Sequence, residues 1–233
     1  MIHSAAPCPV DTKHAMLDWW GPCIYEYYAA SEGGGTLVRP DEWLKKPGTV
    51  GKPWPISEIR ILDDEQQPLA SGEVGTVWIR MGDHTFKYHG DKKKTDKAWH
   101  EGFFTVGDAG YLDEDGYLFL CDRKADMIIS GGVNIYPAEI EAVLIHHEKI
   151  ADVAVFGIPD DDWGEQVKAV VQLLEPGEAN DTLTAEVLAF AQEKLAKFKC
   201  PKTIDYIEEM PRDPNGKLYK RKLRAPYWEG KTP

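Results

Sequence analysis

Residues 122–141 read Asp122-Arg123-Lys124-Ala125-Asp126-Met127-Ile128-Ile129-Ser130-Gly131-Gly132-Val133-Asn134-Ile135-Tyr136-Pro137-Ala138-Glu139-Ile140-Glu141, and the pattern changes character inside them. Residues 127–129 form a short apolar run that predicts a buried strand, and Ser130-Gly131-Gly132 interrupts it. Pro137 suits the first position of a helix, where its missing N–H costs nothing. Ile140, Val143, Leu144 and Ile145 then recur at helical spacing. Downstream, residues 153–158 and 167–173 predict strands, residues 183–195 a helix, and residues 203–207 a last short strand. The order strand–helix–strand–strand–helix–strand implies a small α+β domain, with a boundary near residues 122–125.

Upstream of that boundary the chain reads differently. Residues 14–20 predict a short helix stopped by Gly21 and Pro22, and residues 23–25 are strand-like. Gly33-Gly34-Gly35 is expected to be irregular. From Gly48 to Leu120 the pattern is β-structure with turns, including strands at 74–79 and 117–120 and a turn at Asp63-Asp64. Asp113-Glu114-Asp115-Gly116 lacks the ligand spacing of a calcium loop, and lying between Tyr111-Leu112 and Tyr117-Leu118 it predicts a hairpin with an Asp-Gly turn.

At 233 residues the chain has room for two domains of ordinary size, and 42% hydrophobic with 28% charged residues is normal for a globular protein. No apolar run is long enough to cross a bilayer and no basic-then-apolar leader opens the sequence, which predicts no transmembrane segment and a cytoplasmic location. The net charge of -12 argues against nucleic acid as a partner, since a polyanion is repelled. The basic tail, residues 217–224, is the exception; it fits a solvated helix end or a phosphate contact. Cys8, Cys23, Cys121 and Cys200 form no C-x-x-C pair, so neither a disulfide framework nor a zinc site is indicated. His146 and His147, adjacent on a helix, point in different directions and are expected at the surface.

Three features carry possible chemistry. In Tyr28-Ala29-Ala30-Ser31-Glu32 a ring is followed by a hydroxyl and a carboxylate, which fits either base stacking beside a phosphate-bound magnesium or plain strand and core tyrosines. Asp108, after Gly107, fits either a ribose acceptor or a turn aspartate. The third is the 122–141 string itself, and there the chain resembles the adenylate-forming, AMP-binding superfamily of acyl-CoA synthetases, luciferases and peptide-synthetase adenylation domains. Its arginine, glycine pair, asparagine, proline and Glu-Ile-Glu stand at the family spacing. Ser4-Ala5-Ala6-Pro7, Tyr28 to Glu32, Gly107-Asp108, Pro159 to Glu165 and Pro211 to Lys217 resemble further family motifs in the family's order. The resemblance covers nearly the whole chain, and the Ser-Gly-Gly-Val-Asn-Ile-Tyr-Pro variant is most similar to acyl-CoA synthetases.

The resemblance implies a fold and a set of roles. The fold class is α/β (α+β): residues 1–122 would be the end of a large AMP-binding domain with a β-barrel-like subdomain, 123–126 a hinge, and 127–233 a small mobile C-terminal domain. Tyr28 would stack on adenine, Ser31 would lie near the phosphate, and Glu32 would hold Mg2+. Asp108 would take the ribose hydroxyls, with Arg123 adding a bidentate donor. Lys217 would be catalytic, opposing charge at the α-phosphate, while Gly131 and Gly132 would border the pantetheine tunnel. The activity implied is ATP-dependent conversion of a fatty or similar apolar carboxylic acid to acyl-AMP and then acyl-CoA, which places the chain in fatty-acid and lipid metabolism. Its small molecules would be ATP/AMP, Mg2+ and coenzyme A. An aryl- or steroid-acid CoA ligase and a non-catalytic nucleotide-binding module are the alternatives.

Three features depart from the pattern. Ala29 replaces the family's glycine after the stacking tyrosine, and Ala125 replaces the Asp or Lys usual at the hinge. No Ser/Thr/Gly-rich, lysine-containing phosphate loop is present. The chain is therefore expected to be the C-terminal half of such an enzyme, needing an N-terminal half as its partner, with weak catalysis at best on its own and apolar surface left exposed.

Overall fold

The computed structural model describes residues 1–214 and 216–230, and the chain divides into two compact units, Met1–Lys124 and Ala125–Pro233. The fold class is mixed α/β, built on antiparallel sheets.

In the first unit, β1 (Ile2–His3) and α1 (Val10–Trp20) precede the hairpin of β2 (Tyr25–Ala30) and β3 (Gly33–Val38). A short α2 (Pro40–Trp43) and β4 (Lys52–Pro53) follow, giving a four-stranded sheet in the order β1-β2-β3-β4. The triple glycine, expected to be irregular, is instead the start of β3, with Ala29 opposite Gly35 and Ala30 opposite Gly33. The reason lies in the neighbours. A Cβ at Gly34 would strike Ile79, and one at Gly35 would strike the Tyr28 carbonyl, so a strand can pass there only without side chains.

The rest of the unit is a six-stranded sheet: β5 (Ser57–Leu62), β6 (Gly75–Met81), then α3 (Lys92–Ala98), β7 (Trp99–His100), β8 (Phe103–Phe104), β9 (Asp108–Leu112) and β10 (Leu118–Arg123). Its path is β10-β9-β6-β8-β7 with β5 along β6, so among the described residues the β-rich subdomain is an open sheet and not a closed barrel. Ile59, Ile61, Val77, Ile79, Phe104 and Leu118 fill its core. The Asp113 turn joins β9 to β10, its carboxylate accepting from the N–H groups of Asp115 and Tyr117 at 3.0 and 2.9 Å.

The second unit contains β11 (Ile128–Ser130), β12 (Val133–Ile135), α4 (Pro137–Leu144), β13 (Ile150–Asp160), β14 (Gly164–Leu173), α5 (Asp181–Lys194), β15 (Thr203–Tyr206) and α6 (Lys220–Arg224). The central strand β14 pairs with β13 along its whole length, with β11 at one end and with β15 in parallel. Its apolar runs are explained by burial of both sheet faces. Val153, Val155, Val167, Ala169 and Val171 join α4 and α5 residues such as Ile140, Leu144 and Val187 in one cluster. Ala154, Phe156 and Val170 share another with Met210, Leu218, Leu223 and Tyr227 from the C-terminal segment. Strand β12, between β11 and α4, is an addition to the order read from sequence.

His147 is a correction. Helix α4 ends at Leu144, and His147 turns inward, 6% exposed, with its ring edge-on to Phe190 at 5.2 Å. Adjacent residues do diverge, and here one of them diverges into the core. Among the described residues no helix is long and apolar enough to cross a membrane.

Candidate functional site

In the first unit, β2 carries Tyr28, the start of β9 carries Asp108, and the end of β10 carries Arg123 directly opposite Asp108 in the antiparallel register. The Tyr28 hydroxyl donates to Asp108 Oδ2 at 2.6 Å, and Arg123 Nε lies 3.6 Å from Oδ1. A phenol, a carboxylate and a guanidinium thus meet although 80 residues separate the first two. Burial, followed by the negative charge of Asp108 and the hydrogen bond to it, pushes the Tyr28 phenol far above its ordinary value. Tyr28 is therefore a fixed donor, and it holds one carboxylate oxygen of Asp108. The Gly107 turn sets the start of β9: its N–H donates to Thr105 Oγ1 at 3.0 Å, and its carbonyl accepts from Lys124 N–H at 2.8 Å.

Ser31 and Glu32 form the two-residue tip of the β2–β3 hairpin. Glu32 Oε1 accepts from the Tyr88 hydroxyl at 2.8 Å, and the Glu32 carbonyl accepts from His84 Nε2 at 2.8 Å. The His84 ring lies so close to Gly33 that a Cβ there would meet it. Neither Tyr88 nor His84 stands out in the sequence, because contacts across 56 and 52 residues leave no periodic trace. Among the described residues no cluster of three or more His, Cys, Asp or Glu side chains is arranged to enclose a metal. Glu32 offers one carboxylate, which suits Mg2+ held largely by substrate phosphates rather than a protein cage.

In the second unit, Lys217 ends a loop whose backbone is braced from inside. Asp213 Oδ1 accepts the Lys217 N–H at 2.9 Å, and the Lys217 carbonyl accepts the Asp213 N–H at 3.0 Å. Arg212 grips Asp152 with two hydrogen bonds of 2.6 and 2.8 Å and donates to the Gly216 carbonyl at 2.6 Å. The Lys217 side chain is exposed at the end of this brace. The basic residues after it are partly neutralised: Lys220 pairs with Glu141 at 2.9 Å and Arg224 with Glu165 at 2.9 Å.

Gly131 and Gly132 turn β11 into β12. Gly131 has φ +58°, its N–H donates to the Trp163 carbonyl at 2.9 Å, and a Cβ on it would overlap the Trp163 ring. Gly132 has φ +81° with open space around it. Glu165 ties this turn down, since its Oε2 accepts from Ile129 N–H at 2.9 Å. The residues singled out from sequence thus fall into two sets, Tyr28, Ser31, Glu32, Asp108 and Arg123 in the first unit and Gly131, Gly132 and Lys217 in the second.

Comparison with known proteins bears on both units. The AMP-binding enzyme family profile matches residues 1–88, and the AMP-binding enzyme C-terminal domain profile matches residues 139–217. A long-chain-fatty-acid–CoA ligase of Bacillus subtilis is 36% identical over 224 residues, covering 95% of this chain and 40% of the relative. A 2-succinylbenzoate–CoA ligase of Geobacillus kaustophilus is 37% identical over 226 residues, covering 96% and 45%. Among solved structures, the ATP-bound MatB of Rhodopseudomonas palustris superposes with a TM-score of 0.88 at 31% identity, covering 99% of this chain and 46% of that one. The o-succinylbenzoate CoA synthetase of Bacillus subtilis in complex with its acyl-adenylate intermediate gives 0.85 at 30%, covering 95% and 45%. The chain spans less than half the length of these relatives. Matched in order by the profiles of both parts, and superposing on these structures along nearly its full length, the chain belongs to the AMP-binding enzyme family.

Proposed function

We propose that the chain is the nucleotide-handling and thioester-forming portion of an ATP-dependent acid–CoA ligase. A carboxylate attacks the α-phosphorus of ATP to give acyl-AMP and pyrophosphate, and the thiol of CoA then displaces AMP to give acyl-CoA. The observation that carries this reading is the Tyr28–Asp108–Arg123 group, a buried carboxylate flanked by a phenol and a guanidinium on rigid strands. Asp108 accepts from the ribose hydroxyls, Arg123 donates beside it, and the Tyr28 ring offers the adenine a stacking face. Glu32 at the hairpin tip takes Mg2+, which screens the phosphates when bound, with Ser31 next to them.

Lys217 supplies the mobile charge. Negative charge grows on phosphorus during acyl-AMP formation, and an ammonium placed there stabilises it most when that charge is largest. The bracing of the loop by Arg212 and Asp213 fixes the Lys217 backbone, so the side chain is presented as one piece with the second unit. On this reading residues 1–122 belong to the large AMP-binding domain, residues 123–126 are the hinge, and residues 127–233 are the small domain that delivers Lys217 for one half-reaction and the Gly131-Gly132 turn for the other. The remaining length carried by the relatives is the proposed partner, and the cytoplasm, where ATP and CoA are both available, the proposed compartment.

The acid proposed is fatty or similarly apolar, and the enzyme then serves lipid metabolism. An aryl acid is the second reading, favoured by 37% identity to a 2-succinylbenzoate ligase beside 36% to a fatty-acid ligase. ATP–pyrophosphate exchange with fatty, aromatic and steroid acids tests both, using the chain alone and mixed with the N-terminal portion of a relative. Exchange in the mixture that is lost in Lys217→Ala supports the ligase, and the acid that drives it names the class. Silence from halves shown to associate would leave a nucleotide-binding module without catalysis.

A further inference from the structure

Glu32 is gripped by the segment that joins β6 to α3, and the grip is itself anchored. The Tyr88 N–H donates to Thr95 Oγ1 at 3.0 Å, and that hydroxyl donates to the Asp91 carbonyl at 2.8 Å. The Tyr88 ring meets Phe86 edge-on at 5.2 Å, and Phe86 packs on Trp99 and Phe104 at 5.0 and 5.2 Å. The Lys94 ammonium lies 3.9 Å from the Tyr88 ring centre. The hydroxyl that reaches Glu32 is therefore connected through one aromatic chain to the core of the six-stranded sheet.

We propose that Tyr88 is a positioning residue for metal binding: by occupying Oε1 of Glu32 it turns the other carboxylate oxygen toward the Mg2+ of the ATP complex. This rests on the reading of Glu32 as the metal ligand. A carboxylate at a hairpin tip rotates freely about its last bond, and its two oxygens are equivalent until a neighbour distinguishes them. A phenol does so without neutralising the charge that attracts the cation, as a lysine in its place would. The His84 bond to the Glu32 carbonyl fixes the main chain in the same way. Groups that orient a metal ligand contribute to affinity although they never touch the ion.

Mn2+ serves as the probe, with free Mn2+ followed by electron paramagnetic resonance as the 233-residue chain is added in the presence of ATP. Tyr88→Phe should raise the Kd for Mn2+ by roughly tenfold, the low end for outer groups, because Glu32 is partly exposed. Metal-free ATP binding and the melting temperature should stay at parental values. Glu32→Gln should weaken Mn2+ at least as much. A Tyr88→Phe chain that binds Mn2+ like the parent, while Glu32→Gln does not, overturns the inference and leaves the Glu32 assignment standing. If both variants match the parent, or the parent itself binds no Mn2+–ATP, the metal assignment falls and the inference with it. Equal loss of metal-free ATP binding in Tyr88→Phe would make the residue structural and also refute the proposal.

Discussion

Alanine at Gly131 and alanine at Gly132 look like the same substitution, yet they should differ in a way that separates packing from function. Both residues have left-handed backbone, φ +58° and +81°, so either alanine incurs about 1 kcal/mol of strain. At Gly132 nothing else is charged, since no atom lies within 4 Å of the added Cβ. At Gly131 the Cβ would lie inside 3.0 Å of the Trp163 ring, a separation real Cβ atoms do not adopt. That ring is 56% exposed and can swing away, which limits the added cost to the contacts it forfeits, about 1 kcal/mol more. Gly131→Ala should therefore destabilise the second unit by about 2 kcal/mol and Gly132→Ala by about 1 kcal/mol. The assay is native-state hydrogen exchange on β13 and β14, whose amides report opening of that unit alone. Adding Trp163→Ala to each should close the gap between the two glycines. Equal costs in the parental background, or a gap that survives removal of Trp163, would refute the reasoning. If the thioester step runs along this turn, Gly132→Ala should slow it far more than its stability cost explains, because the methyl group enters the open space.

Three further outcomes follow from the same geometry. Tyr28→Phe leaves a largely buried Asp108 without its phenol donor and should cost the first unit about 1–2 kcal/mol, read from its urea midpoint; no change would mean the bond at 2.6 Å is energetically idle. Ala5 sits at φ +76°, so Ala5→Gly should stabilise the first unit by up to about 1 kcal/mol, and a fall in melting temperature would show that the segment needs its methyl group. For Asp205, burial raises the pKa, but hydrogen bonds from Lys168 and Tyr227 outweigh it and hold the carboxyl below its ordinary value. A depressed folded pKa gives stability that is present above about pH 3.9, the unfolded value, and lost as pH falls through the folded one. The advantage of the parent over Asp205→Asn should accordingly be constant from pH 7 to about 5 and shrink on further acidification; a gap independent of pH would exclude the charge as its source.

How far the sequence could be read depended on how local the cause was. Pro137 marks the start of α4 because its effect on the backbone needs no partner, and the Asp113 turn closes on its own N–H groups. The runs of β13 and β14 were legible as strands for a similar reason: burial on both faces leaves an apolar sequence whichever neighbours supply it. The triple glycine was misread because its conformation is set by Ile79 and Tyr28 in other strands, not by glycine's own preference. His147 was misread because adjacency on a helix says that two side chains diverge and not which one meets Phe190. In the site, residue types were legible through family spacing, whereas Tyr88 on Glu32 and Tyr28 on Asp108 join residues 56 and 80 positions apart. Such pairings are products of the fold and are invisible before it.

The motif that made the family recognisable contains less chemistry than its length implies. In the 122–141 string, Glu141 accepts from Val155 N–H at 2.7 Å and pairs with Lys220, so it ties α4 to β13 and to the C-terminal helix. Glu139 pairs with Lys199 at 2.7 Å, while Ile128, Ile135 and Ile140 are core. Glu165, from the Pro159–Glu165 motif, receives Ile129 N–H and Arg224 together. Glu141 and Glu165 partly neutralise, at Lys220 and Arg224, the basic tail that composition alone had left open to phosphate. Glu141 and Glu165 are each half-buried between a backbone N–H and a cation, and removing either would orphan both partners, the circumstance in which polar substitutions cost most. The Glu-Ile-Glu and Trp-Gly-Glu signatures are thus explained by the assembly of the second unit. Within it, the chemistry proposed rests on two loops that this scaffold holds in place: the Gly131-Gly132 turn, bonded through Trp163, and the Lys217 loop, braced by Arg212 against Asp152.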